Sequence, residues 1–196
     1  MTSQFDAGLY RWVTDLAHRT PQPLDDIVRV FSDYGLGIFA AFMLAAWWRA
    51  RSGDAERMAA ALCVPLVVVA VYLVNDGVKA VFAEQRPCQT LHVATVETCP
   101  ALGDYAFPSN HSAIAAASAV ALLLAWRRVG LYAVPVALLM AASRVWIGVH
   151  YPHDVLVALA LGALVGWPLA LASRRAAPLV LRMRATRWRV LVSTPV

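Results

Sequence analysis

The chain has 196 residues, of which 60% are apolar, with a mean hydropathy of +0.60 and a formal net charge of +5. That length suits one domain, and so large an apolar share excludes an ordinary soluble domain and indicates an integral membrane protein. The basic balance does not indicate nucleic acid, because the arginines fall between apolar runs instead of along one solvated face.

Residues 1–20 hold charges throughout and lack a continuous apolar core, so no cleavable signal peptide is expected and the membrane helices must direct insertion. Within them Phe5, Leu9, Trp12, Val13 and Leu16 recur at helical spacing, with Asp6, Arg11 and Asp15 elsewhere around the wheel. This amphipathic segment is expected to lie along the membrane interface. Apolar stretches follow at roughly 28–48, 58–82, 109–126, 129–148 and 153–172, each near the length of about 20 residues that a spanning helix needs.

The connections sort by charge. Arg49, Arg51 and Arg57 follow the first stretch, Arg127 and Arg128 the third, and Arg174, Arg175, Arg182, Arg184, Arg187 and Arg189 fill the tail. The positive-inside rule makes that side cytoplasmic, so residues 83–108 and 149–152 face outward. The expected fold is an all-α integral membrane protein, one domain over residues 1–196, with a bundle of five to six transmembrane helices. Residues 173–196 read as a basic cytoplasmic tail drawn to anionic lipid.

The unusual polar residues all fall on the outer side. Lys79, the only lysine, and Arg86 are two helical turns apart, so both face one way near the outer end of the second span, where Pro87 stops the helix. Ser109 stands at the outer start of the third span, where free N–H groups and the helix dipole favour an anion, with Asn110 and His111 in the first turn. Arg144 is near the outer end of the fourth span. Beyond Gly148, Pro152 opens the fifth with Asp154 in its first turn, which sets His150 beside a carboxylate. Taken singly, a cation at a helix end is a snorkelling anchor and a histidine there an interfacial hydrogen-bonding group. Their joint arrangement at one membrane surface points instead to phosphate chemistry.

The stretches KAVFAEQRP, PSNH and SRVWIGVHYPHD match, in order and spacing, the K-x6-R-P, P-S-x-H and S-R-x5-H-x3-D signature, so the chain resembles the type-2 phosphatidic-acid phosphatase superfamily. The motifs occupy residues 79–154, and the span pattern extends the resemblance over most of the chain. The N-terminal layout, with DDIVRVFSDYGLGIF, is similar to the bacitracin-resistance branch that acts on undecaprenyl pyrophosphate. Asn110 departs from the glycine frequent at its position, a change that a role through the backbone N–H would tolerate. The five spans plus an amphipathic segment depart from the six spans of many relatives.

The resemblance implies a multi-pass enzyme of the bacterial plasma membrane with an outward-facing site. His150 would attack phosphorus to give a phosphohistidine, Asp154 would hold its tautomer, and His111 would protonate the leaving oxygen and later activate water. Lys79, Arg86 and Arg144, with Ser109 and the amides near Asn110, would hold the phosphoryl oxygens. Carboxylates are scattered and no histidine or cysteine pair has zinc spacing, so no metal or other cofactor is expected. His153 reads as an exposed bystander. Glu84, within one turn of Arg86, either pairs with it or touches the substrate, the ion pair being the simpler role.

Cys88 and Cys99 bracket residues 88–99 on the side read as external, where disulfides persist, and both bridged and reduced forms stay open. Cys63, inside the second span, reads as packing. The expected partners are the bilayer and a lipid phosphate, undecaprenyl pyrophosphate first, with phosphatidylglycerol phosphate and phosphatidic acid as alternatives; the oligomeric state stays open. A non-hydrolytic lipid-phosphate transporter or scaffold is the rival from another class. Haloperoxidase chemistry belongs to a soluble branch and does not suit a chain with apolar spans.

Overall fold

A computed structural model describes residues 6–194, so Phe5 of the amphipathic stripe and the last two residues of the tail lie outside the described residues. Among the described residues ten α-helices follow in order: α1 (Ala7–Arg19), α2 (Gln22–Tyr34), α3 (Leu36–Ala50), α4 (Ala55–Phe82), α5 (Pro87–Leu91), α6 (Asn110–Ala125), α7 (Arg127–Trp146), α8 (Pro152–Ser173), α9 (Ala177–Arg184) and α10 (Arg189–Val192). No strand occurs among the described residues.

Local chemistry marks the helix starts. The Asp54 carboxylate accepts from the Arg57 N–H at 2.8 Å to open α4, and Ser109 caps α6 by accepting from Ser112. Pro152 takes the first position of α8, where no N–H is needed. Pro65, Pro135 and Pro168 lie inside α4, α7 and α8, as packed membrane helices tolerate.

Helix α6 is the axis of the bundle and packs against α3, α4, α7 and α8. Its alanines at 113, 115, 116, 117, 119 and 121 are buried, so almost its whole surface meets protein. Small side chains let the neighbouring backbones close in, which is how membrane helices gain packing without a hydrophobic drive between them. A Cβ on Gly162 of α8 would come within 2.6 Å of the Ala113 carbonyl oxygen, and one on Gly130 of α7 within 2.3 Å of the Leu123 nitrogen. The outer helices turn large apolar residues outward, among them Leu66, Leu73, Leu138, Leu139, Leu156 and Leu164. A belt of this kind fits a lipid environment.

Two of the expected spans differ from continuous crossings. The first is broken: α2 and α3 qualify as a membrane span only together and are bent by 53°. Asp25, Asp26, Arg29 and Asp33 make α2 amphipathic, whereas α3 is apolar around most of its surface. The third, α6, has 16 residues and is apolar but short, about 24 Å at 1.5 Å per residue. Three helical runs, Ala55–Leu91, Arg127–Trp146 and Pro152–Arg184, are long and apolar enough to cross a membrane unaided. The helix over Lys79 also stops before Pro87: α4 ends at Phe82, Ala83 is left-handed at φ 47°, and Arg86 opens the separate α5.

The arginine-rich tail is docked. Arg51 donates to the Ser193 and Val190 carbonyls, Arg184 to the Gly53 carbonyl at 2.9 Å, and Trp47 to the Leu191 carbonyl at 2.9 Å. Helix α1 is docked too, with Tyr10, Thr14 and Ala17 buried. Cys88 and Cys99 are bridged, and Cys63 is free and half-buried.

Gly162→Ala is expected to force α6 and α8 apart and to cost about 1–3 kcal/mol through overpacking. Thermal unfolding in detergent should show a lower Tm, and an unchanged Tm would mean that these helices separate freely.

Candidate active site

His150 is held between two helix ends. After α7 the chain turns through Gly148 at φ +87°, a left-handed conformation that glycine adopts without strain. A Cβ there would also meet the Thr95 side chain at 2.4 Å. The Tyr10 hydroxyl of α1 donates to the Gly148 carbonyl at 2.8 Å and pins the turn from the N-terminal side. Burial, followed by the nearby Tyr151, pushes the Tyr10 phenol up, so it remains a donor.

On the other side, Tyr151 precedes α8 and its N–H donates to Asp154 Oδ2 at 2.8 Å. The same oxygen lies 3.3 Å from His150 Nδ1. His150 Nε2 faces Arg86 Nη1 at 3.4 Å. A guanidinium only donates, so Nε2 is the acceptor nitrogen and Nδ1 carries the proton toward the carboxylate. Both members of the pair are buried, His150 at 2% exposure and Asp154 at 0%. Burial, then the charges of Arg86, Arg144, Lys79 and His111, hold the His150 imidazole well below its usual pKa. It is therefore a neutral imidazole with a lone pair turned toward a cation.

The three cations converge from three elements. Arg86, at 4% exposure, donates through Nε to the Asp104 carbonyl at 2.8 Å, through Nη2 to the Asp104 carboxylate at 2.9 Å and through Nη1 to the Val149 carbonyl at 2.9 Å. Lys79 Nζ donates to the next carbonyl of that loop, Tyr105, at 3.0 Å. Arg144 Nη1 reaches Ser32 of α2 at 2.9 Å, and its buried Nε has no protein partner among the described residues.

Ser109 is fully buried and its N–H donates to the Asp154 carbonyl, joining the start of α6 to the start of α8. Asn110 does more than present a backbone amide: its side-chain oxygen accepts from Asn75 Nδ2 at 2.6 Å, and Asn75 also donates to the Pro108 carbonyl at 3.2 Å. His111 is half-buried in the first turn of α6, close enough for its charge to bear on His150.

Two expectations are corrected. His153 is no exposed bystander. At 9% exposure its N–H donates to Asp6 Oδ2 at 2.8 Å, its Nδ1 lies 3.1 Å from the Asp6 carboxylate, and its Nε2 lies 3.4 Å from Glu84 and 3.2 Å from Asp154 Oδ1. Tyr151 stacks on its ring at 5.4 Å. Nor does Glu84 pair with Arg86: the arginine takes Asp104, and Glu84 turns to His153. Several partners are not marked by the motif pattern because each is ordinary in type, Asp6, Tyr10, Ser32, Asn75 and Asp104 being also remote from the residues they hold, while Tyr151 is the sequence neighbour of His150. Asn75 alone left a signal, as an amide within an apolar run.

The fold and this site define a membrane lipid phosphatase. Residues 60–178 match the PAP2 superfamily model, and the chain belongs to that superfamily. It is 30% identical over 159 residues to undecaprenyl-diphosphatase BcrC of Bacillus subtilis (strain 168), a match covering 81% of this chain and 79% of the relative. A decaprenylphosphoryl-5-phosphoribose phosphatase of Mycobacterium tuberculosis (strain CDC 1551 / Oshkosh) is 43% identical over 91 residues, covering 45% of this chain and 48% of that protein. Among solved structures, Aquifex aeolicus LpxE shares the fold with a TM-score of 0.66 and 22% identity, over 89% of this chain and 99% of that one.

His153→Gln is expected to lower kcat by about tenfold to hundredfold with little change in KM, because its contacts hold the Asp154 carboxylate in place. Asp6→Asn should act in the same direction but more weakly; steady-state kinetics on folded variants decides, and an unchanged kcat would remove His153 from the site. For His150 the folded pKa lies below the unfolded value of about 6.5, so the unfolded chain binds more protons at mildly acidic pH. Stability should therefore fall as pH drops through about 6.5 toward the folded pKa, and His150→Gln should flatten the slope of Tm against pH.

Proposed function

We propose that this lipid phosphatase hydrolyses a polyprenyl pyrophosphate, undecaprenyl pyrophosphate in the first instance, to the monophosphate through a phosphohistidine and without a metal. The observation that carries this reading is the polarity of His150: Nδ1–H directed at Asp154 and the Nε2 lone pair directed at the space before Arg86. An imidazole so held is a neutral nucleophile at the mouth of a cationic pocket.

The phosphoryl group to be transferred sits among Lys79, Arg86 and Arg144, with the free N–H groups at the start of α6 and the unpartnered Arg144 Nε as further donors. These donors neutralise charge on its oxygens as the bond to the leaving oxygen lengthens. His150 Nε2 forms the P–N bond and the anhydride P–O bond breaks, its electron pair leaving on the lipid monophosphate, which takes a proton from His111. Asp154 supports the positive charge that develops on the imidazole. His111 then takes a proton from water, the water oxygen attacks phosphorus, and the P–N pair returns to Nε2 as inorganic phosphate leaves.

The substrate class follows from location. A phosphoryl site at one end of a lipid-facing bundle receives a headgroup whose tail stays in the bilayer. The extended likeness to BcrC, which runs beyond the motif residues, favours a polyprenyl diphosphate over a glycerolipid monoester. With the arginines clustered at the opposite helix ends, the positive-inside rule turns the site outward and makes the 173–196 tail cytoplasmic.

Phosphate release from undecaprenyl pyrophosphate by purified protein in detergent with EDTA is expected to persist in wild type and to vanish in His150→Ala. Wild-type turnover by the variant would sink the nucleophile assignment. Loss of activity with EDTA would show a metal requirement, for which Glu84, His153 and Asp154, with donor atoms within 4.8 Å of one another, are the candidate ligands. Faster release from phosphatidylglycerol phosphate or phosphatidic acid would reassign the substrate.

A further inference from the structure

At the end of the bundle opposite His150, where α3, α6 and α8 finish and α4 and α7 begin, Arg49, Arg57, Arg127, Arg128 and Arg174 line one cavity of about 620 Å³. The catalytic reading uses none of these residues. Five guanidinium groups around so small a volume repel one another unless an anion enters or water screens them. Little in the protein offsets this charge: among the described residues only Arg57 of the five has a carboxylate partner, Asp54 at 3.4 Å. Arg174 is spent on the Leu124 carbonyl at 3.0 Å, where it closes the end of α6.

The cavity also takes the start of α7. Helix α4 is capped there by the Asp54 carboxylate, whereas α7 follows Trp126 with no side-chain cap, so its first N–H groups and positive dipole end add to the arginine field. The remaining wall is apolar: Leu123, Val129, Trp126 and Tyr132 line it, and Tyr132 is 70% exposed at the start of α7. A free inorganic anion would leave that wall without a partner. A headgroup attached to acyl chains would satisfy both halves.

We propose that this cavity binds the phosphate headgroup of an anionic phospholipid from the leaflet opposite the active site. The phosphate meets Arg49, Arg127, Arg128 and the start of α7, and the glycerol and first acyl carbons lie against Trp126 and Tyr132. The forked, permanently charged guanidinium suits phosphate oxygens, and the aromatic pair suits the depth at which headgroup passes into hydrocarbon. The site differs from the attraction of a loose basic tail to a membrane, because its arginines come from the ends of four packed helices.

The test is native mass spectrometry of the full chain released from detergent micelles doped with phosphatidylglycerol or with phosphatidylcholine, and separately with inorganic phosphate. Wild type is compared with Arg127→Gln/Arg128→Gln, with Arg49→Gln from a different helix in case the double variant misfolds, and with Arg86→Gln at the active site. Wild type should retain phosphatidylglycerol in preference to phosphatidylcholine; the double variant should bind it about tenfold more weakly, and Arg86→Gln should keep the preference. Turnover of the cavity variants should match wild type. An unchanged preference in both cavity variants would overturn the proposal, as would no preference in wild type. Inorganic phosphate bound as tightly as the lipid would assign the cavity to a free anion and overturn it too.

Discussion

Putting a histidine among cations inside a membrane protein demands that its protonation be settled by geometry. Around His150 the settlement is a fixed polarity, with the Asp154 carboxylate on Nδ1 and the Arg86 guanidinium on Nε2. The three groups constrain one another. Asp154 needs the Tyr151 N–H and the His153 imidazole to be stable at full burial, and Arg86 needs the carbonyls of Asp104 and Val149 and the Asp104 carboxylate. Both sets of demands are met by the loops at one end of the bundle, so those loops are folded as tightly as the helices that carry them.

That arrangement depends on α6. A central helix made largely of alanine lets α4, α7 and α8 come close, and their ends then deliver Lys79, Arg144 and Asp154 to the same place as Ser109 and His111. Larger residues on α6, or a side chain at Gly162, would separate those ends and spread the cations apart. The short length of α6 is consistent with this position. Wrapped by protein on nearly every side, it need not match the bilayer by itself. The disulfide between Cys88 and Cys99 and the Gln89 amide, which donates to the Pro100 carbonyl, brace the loop that leads to Asp104 and Tyr105.

The helix ends opposite carry a second concentration of positive charge without any histidine or nucleophile. The same residue type thus has two settings. At the site, each arginine is buried and tied to carbonyls, a carboxylate or a hydroxyl; at the far end most are exposed and border an aromatic wall. The first setting holds the cation in one place, and the second leaves it exposed.

Hydropathy and motif spacing made much of this legible. The apolar stretches announced a helical membrane protein, and Lys79, Arg86, Ser109, His111, Arg144, His150 and Asp154 stood out because charged and catalytic residue types are costly in such surroundings and recur at characteristic intervals. The break between α2 and α3, the early end of α4 and the docking of α1 were not legible, since each depends on what packs alongside. His153 shows the difference most directly. Its sequence neighbour Asp154 marks it only as adjacent to the site, while Asp6, 147 residues away, and Glu84, 69 residues away, make it a buried link between three segments. By itself the sequence determined which residues could do phosphate chemistry, because that depends on side-chain type and local periodicity. Only the tertiary structure decided which of them are neutral, paired or held, because desolvation and hydrogen bonding are set by groups brought together from distant parts of the chain.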